Sequence, residues 1–173
     1  VDVEAAKRHF VDDGWEMYDT MDATFRFSGN KIIQWDGKSR NGYDTYGGGR
    51  GTIIYGSEGA VFIDRGKYNL FDRNGKLVKD NKSSANEAGT ALGGGGDMTT
   101  GHVINFFEAV RGKEKLTAPI DDASISMAMV HYSNIAYRIG KGFDIDDKTG
   151  RMYDRDAMKL WSRDYEPGWE PTL

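Results

Sequence analysis

The chain has no cysteine, three prolines and three histidines among its 173 residues. Without cysteine there is no disulfide framework, no thiolate nucleophile, and no cysteine-ligated zinc or iron–sulfur cluster. His9, His102 and His131 stand far apart in sequence, and no zinc site is expected from them. Long apolar runs are missing too: none approaches the roughly 20 residues that cross a bilayer. No basic segment followed by an apolar stretch opens the chain, so no signal peptide is read in it. Excess charge of one sign is small, with 23 Lys and Arg against 27 Asp and Glu, a net charge of −4. The basic residues are scattered, which argues against a nucleic-acid footprint. The first residue is Val rather than Met, which implies a processed product or a piece cut from a longer chain.

Glycine, by contrast, is abundant: 23 residues of 173, well above the usual ~7%. The length suits one ordinary domain with a real core. Its first two thirds read as strands. Val1, Val3 and Ala5 alternate with polar residues, as do Met21, Ala23, Phe25 and Phe27, the period of a strand with one buried face. A turn at Ser28-Gly29-Asn30 leads into a strand from Lys31 to Trp35, closed by Asp36-Gly37. Further strands are expected at Thr52 to Tyr55, Ala60 to Ile63, Tyr68 to Phe71 and Lys76 to Val78, the last two joined by an Asn74-Gly75 hairpin turn. Short turns between successive strands predict an antiparallel sheet, not a doubly wound nucleotide fold. Residues 79–101, rich in Ser, Asn and Gly and containing Gly93 to Gly96, read as a long mobile loop. A helix is predicted from about Thr99 to Arg111, with Val103, Phe106, Phe107 and Val110 as its apolar face. A second follows Pro119, with Ile125, Ala128, Met129, Tyr132, Ile135, Ala136 and Ile139 at helical spacing and Gly140 as its stop. A short helix around Ala157 to Trp161 follows, where Leu160, Trp161, Tyr165 and Trp169 can pin the tail to the body. The expected fold is therefore α+β, an open and mostly antiparallel sheet with helices packed on one face. It divides into a sheet (1–78), a loop (79–101), and helices with the tail (102–173).

The run Tyr46-Gly47-Gly48-Gly49-Arg50-Gly51 imitates a phosphate loop. A dinucleotide fingerprint places its glycines after a strand and at the start of a helix, where the pyrophosphate meets free N–H groups. Here the glycines precede a strand, and no Lys-Ser or Lys-Thr follows. The acidic stretch from Asp144 to Asp156 lacks the Gly and Glu positions of a calcium loop and reads as a solvated turn with a helix cap at Asp154. Trp35, Arg40, Tyr43, Tyr46 and Arg50 lie in and around a glycine-rich connection, where aromatic rings and guanidinium groups can stack on and hydrogen-bond a sugar. A surface loop over a buried Trp is the plainer alternative. His102 begins a helix beside the long loop and faces a ligand or caps the helix; His131 reads as structural. No serine–histidine–acid or paired-carboxylate arrangement can be assigned.

Five segments together resemble the C-terminal half of the Gfo/Idh/MocA oxidoreductases, the family of glucose–fructose oxidoreductase and inositol dehydrogenase. They are Trp35-Asp36-Gly37-Lys38-Ser39-Arg40-Asn41-Gly42, Gly51 to Gly59, His102 to Val110, His131 to Gly140, and Ser162 to Trp169. The branch common in Bacteroidetes and related bacteria is the most similar. The resemblance implies a substrate-binding and oligomerisation domain, residues 1–173, of an enzyme that oxidises or reduces a sugar-like hydroxyl. NAD or NADP would be held by a Rossmann domain whose Gly-rich loop and Glu-Lys-Pro motif are not found in this chain. The family's Asp-x-x-x-His motif is not found either, so no catalytic residue carries over, and the chain alone is expected to be inactive. With one sheet face packed on the helices, the other, which carries Tyr, Trp, Arg and Thr, is expected to meet a second copy in a homodimer. The substrate-rim residues expected on this basis are Trp35, Arg40, Tyr46, Arg50 and His102, with residues 79–101 as a lid or as plain disorder. An NAD-dependent glycosidase of the same fold shares every one of these features, and a stand-alone, non-catalytic carbohydrate-binding or scaffold module stays open beside it. The compartment stays open between cytoplasm and periplasm.

Overall fold

The computed structural model describes residues 1–46, 48–64, 67–81 and 98–170. Along them run β1 (Asp2–Lys7), β2 (Thr20–Phe27), β3 (Lys31–Lys38), β4 (Thr52–Tyr55), β5 (Gly59–Ile63), β6 (Tyr68–Asp72), β7 (Leu77–Asp80), α1 (Met98–Val110), α2 (Ile120–Ile139) and α3 (Arg155–Met158). The chain divides into two compact units, one of residues 1–41 with 118–173 and one of residues 42–117. The α+β class and the antiparallel pairing are as expected. The single open sheet is instead two sheets, of order β1-β2-β3 and β4-β5-β6-β7. Each strand takes its neighbour in sequence, and the pairing is interrupted at the glycine-rich connection between β3 and β4, too long for a hairpin turn.

In the first unit β3 runs on through Asp36 and Gly37 to Lys38, paired along its whole length with β2. A turn does not close it at Asp36-Gly37 because both residues find partners, Asp22 and Met21. Met21, Ala23 and Phe25 of β2 are buried and form the core with Tyr132, Ile135 and Ala136 of α2 and with Phe143, Met152 and Ala157. The α2 stripe is used from Ala128 onward: Ala136 is fully covered, whereas Ile125 is 66% exposed. Ala23 and Ala136 are the small, almost fully covered residues of β2 and α2 in this core. Gly140 ends α2 with φ 71 and donates its N–H to Ala136 O at 2.9 Å and to Tyr137 O, a left-handed cap that suits glycine. Asp154 caps α3 by accepting from the N–H groups of Asp156 and Ala157. That helix is shorter than expected, and Trp161 and Trp169 stay 42% and 79% exposed, so the tail aromatics are not deeply packed.

In the second unit the β6–β7 hairpin turns at Asn74-Gly75 as expected. Gly75 has φ 78, and Asp72 Oδ1 accepts from the N–H groups of Asn74 and Lys76. Phe62 of β5 is its buried centre. The expected apolar face of α1 is present in sequence but is not buried. Phe106 and Phe107 pack edge-to-face on each other at 5.6 Å and both remain 51% exposed. Asn105 instead ties α1 to the segment after it, donating to Glu114 Oε2 and Lys115 O and accepting from Thr117. Of the expected mobile loop, residues 82–97, with Gly93 to Gly96, lie outside the described residues.

Candidate functional site

The glycine-rich connection in the second unit explains its own composition. Thr45 and Gly48 form a tight antiparallel bridge, with Tyr46 at its tip in a left-handed conformation, φ 55. Such a backbone is uncommon for a residue with a side chain and is a strained, over-determined feature. Beyond the tip the chain wraps over Phe62. A Cβ on Gly51, where φ is 146, would meet the Phe62 ring at 2.6 Å and the Ile63 carbonyl at 2.7 Å. These glycines permit close packing on an aromatic ring. They precede a strand rather than a helix N-terminus, so this connection lacks the arrangement of a phosphate loop.

The strained tip places one side chain. The Tyr46 hydroxyl lies 2.7 Å from the Tyr55 hydroxyl, which projects from the end of β4. Both rings are open to solvent, Tyr46 at 51% and Tyr55 at 69%. The hydrogen bond to Tyr46 holds the Tyr55 hydroxyl above the usual phenol range. Arg50, on the same connection, has its Nε 3.6 Å from Asp64 Oδ1, with most of the guanidinium in water. The phenol pair can both donate and accept, whereas Arg50 with Asp64 belongs to the other end of β4: Thr52 pairs with Ile63 and Tyr55 with Ala60.

Trp35 and Arg40 belong to the first unit. Trp35 sits opposite Ala23 in the β2–β3 ladder, and so lies on the face that carries the core, not on the opposite face. Its indole leans over Gly37, where any side chain would collide with Nε1. The strand alternation fixes this: Ile33, Trp35 and Gly37 share the side of Phe25, Ala23 and Met21. Trp35 nevertheless remains 57% exposed at the margin of that face. Arg40 bonds Asp13 through Nη2 and stands over the Phe10 ring at 5.5 Å. Asp13 also pairs with Arg8 at 3.0 Å, whose guanidinium further donates to the carbonyls of Phe10, Val11 and Asp13. The Trp15 N–H, then Arg8 and Arg40, hold the Asp13 carboxyl below its ordinary range. Arg40 is thus a brace for the 8–15 loop, and its plainest role is structural.

Of the five expected rim residues, Trp35 and Arg40 fall in one unit and Tyr46, Arg50 and His102 in the other. All five are exposed. Arg40 and Arg50 pair with the carboxylates of Asp13 and Asp64, and Tyr46 pairs with another hydroxyl, that of Tyr55. The sequence reading passed over Tyr55 as an ordinary strand residue; its signal was position, the last residue of a strand that begins where the glycine run ends. His102 lies in the second turn of α1, and His131 on an exposed side of α2. Comparison with known protein families, with curated proteins and with solved structures finds no match to this chain.

Proposed function

We infer that the chain is the substrate-binding and dimerisation domain of an NAD(P)-dependent oxidoreductase that acts on a sugar or sugar-like polyol, built on the C-terminal fold of the Gfo/Idh/MocA enzymes. The observation that carries the reading is the exposed Tyr46–Tyr55 pair, held by a residue of positive φ on a glycine-rich connection. Support for the class comes from five segments in family order, among them Gly51 to Gly59, which contains Tyr55, and from the α+β architecture with antiparallel sheets. The dinucleotide, which supplies hydride transfer when bound, is assigned to another part of the parent enzyme. This chain's share is to bind and orient the sugar. The rings lie against a pyranose or cyclitol face, and the phenol pair bonds its hydroxyls. A homodimer through a sheet face is part of the same reading.

Calorimetric titration of the chain with neutral monosaccharides, with myo-inositol and with NAD tests this. Saturable heat is expected for one of the polyols and none for NAD, with the polyol signal lost in Tyr46→Ala and Tyr55→Ala. Tight NAD binding, or polyol binding that both variants retain, would overturn it. Sedimentation of the same sample reads the dimer.

A further inference from the structure

We propose that Tyr46 and Tyr55 form an oxidative modification site, a phenol pair set for dityrosine coupling by a peroxide-driven one-electron oxidant. This goes beyond the sugar reading and does not rest on it. The two hydroxyl oxygens are 2.7 Å apart. Two phenols joined ortho to ortho hold their oxygens one hydrogen bond apart, so the folded chain already has the oxygen arrangement of the coupled product. Both rings are open to an oxidant. Both backbones are fixed, Tyr46 by the Thr45–Gly48 bridge and Tyr55 by its pairing with Ala60 of β5. Other tyrosine hydroxyls have different partners: Tyr18 bonds the Asn134 amide, Tyr132 the Gly150 carbonyl and Tyr153 the Asp146 carboxylate. The chain has no cysteine, so no thiol of its own competes for the phenoxyl radical.

The step balances. A haem peroxidase, with hydrogen peroxide as the electron acceptor, removes one electron and one proton from each phenol. A bond forms between the two Cε carbons ortho to oxygen. The two hydrogens on those carbons pass to the oxygens and restore aromaticity. In sum, two tyrosines and one hydrogen peroxide give one dityrosine and two waters. The product ties the tip of the glycine-rich connection to β4 by a covalent bond.

The experiment oxidises the full chain with peroxidase and hydrogen peroxide at a dilution where chains rarely meet, then digests it with trypsin. Cleavage after Arg40, Arg50 and Arg65 separates residues 41–50 from 51–65. These two peptides are expected as one joined species, two hydrogens lighter than their sum, with dityrosine fluorescence on the monomer. Tyr46→Phe and Tyr55→Phe, checked by circular dichroism for an unchanged fold, lose the product. Tyr43→Phe, which removes the other tyrosine of the first peptide, keeps it. Oxidation in urea suppresses it. Joining through Tyr43, cross-links only between chains, equal yield in urea or in Tyr46→Phe, or no coupling at all would each overturn the proposal.

Discussion

Glycine at position 51 and glycine at position 14 look alike in a sequence and differ in what surrounds them. At Gly51 an added carbon meets Phe62 at 2.6 Å and a carbonyl at 2.7 Å, on a backbone with φ 146. At Gly14 it meets nothing within 4 Å. Gly51→Ala is therefore expected to destabilise by about 1–3 kcal/mol, the cost of an unfavourable backbone that a packed neighbour cannot relieve. Gly14→Ala should be neutral, or gain a few tenths through a stiffer unfolded chain. Urea unfolding followed by circular dichroism separates the two; equal midpoints would show that the wrap over Phe62 is not needed. The abundance of glycine was plain in the sequence, and the rule that a phosphate loop opens a helix excluded one role. The actual role was hidden, because Phe62 lies on a strand beyond the loop and nothing local says that the loop crosses it.

At the scale of elements, α2 was the most readable part of the chain, since seven apolar residues at helical spacing between Pro119 and Gly140 leave little choice. What periodicity does not say is how much of a stripe is used. Tyr132 is 7% exposed, packs edge-to-face on Phe143 at 6.2 Å and donates to Gly150 O at 2.6 Å. Ile125, on the same stripe, is 66% exposed. Tyr132→Ala is expected to cost about 3–5 kcal/mol, as a large aromatic lost from a core does. Tyr132→Phe should cost about 0.5–1.5 kcal/mol for the hydrogen bond alone, and Ile125→Ala about 0.5 kcal/mol or less. Chemical denaturation of the three variants checks the order, and a large loss at Ile125 would mean that the N-terminal half of α2 is buried. The same gap between pattern and use appears in α1, whose apolar face was legible while its exposure was not. The 8–15 loop was illegible for another reason: its brace, Arg40, lies 27 residues from Asp13, and an ion pair leaves no period in sequence.

For the whole molecule, the division into two units depends on which strands pair, a non-local matter that short turns do not decide. Charge, however, acts on the chain as a sum. Backbone N–H groups hold the Asp13, Asp19 and Asp146 carboxyls below their ordinary range, through Trp15, Phe10 and Thr149 respectively. Lysine partners do so for Asp154, through Lys141, and for Asp156, through Lys159. A carboxyl with a lower pKa folded than unfolded binds fewer protons when folded, so it stabilises fully above its unfolded value, and that contribution is lost as pH falls through the folded value. Tyr18, Tyr132 and Tyr153 are raised, the first two by burial and the third by the Asp146 charge; their contribution is present below the ordinary phenol value and lost as pH rises through the folded one. Urea midpoints should therefore be level through neutral pH, fall at acid pH below the usual carboxylate range, and fall again at alkaline pH. Asp154→Asn isolates one contribution. The amide oxygen can still accept from Asp156 and Ala157, but no charge faces Lys141, whose ammonium is 2.6 Å from the carboxylate. The variant is expected to be less stable than the parent at neutral pH and to converge with it as pH falls through the depressed carboxyl value. Parallel curves across that window would show that the Lys141 pair contributes nothing to folding.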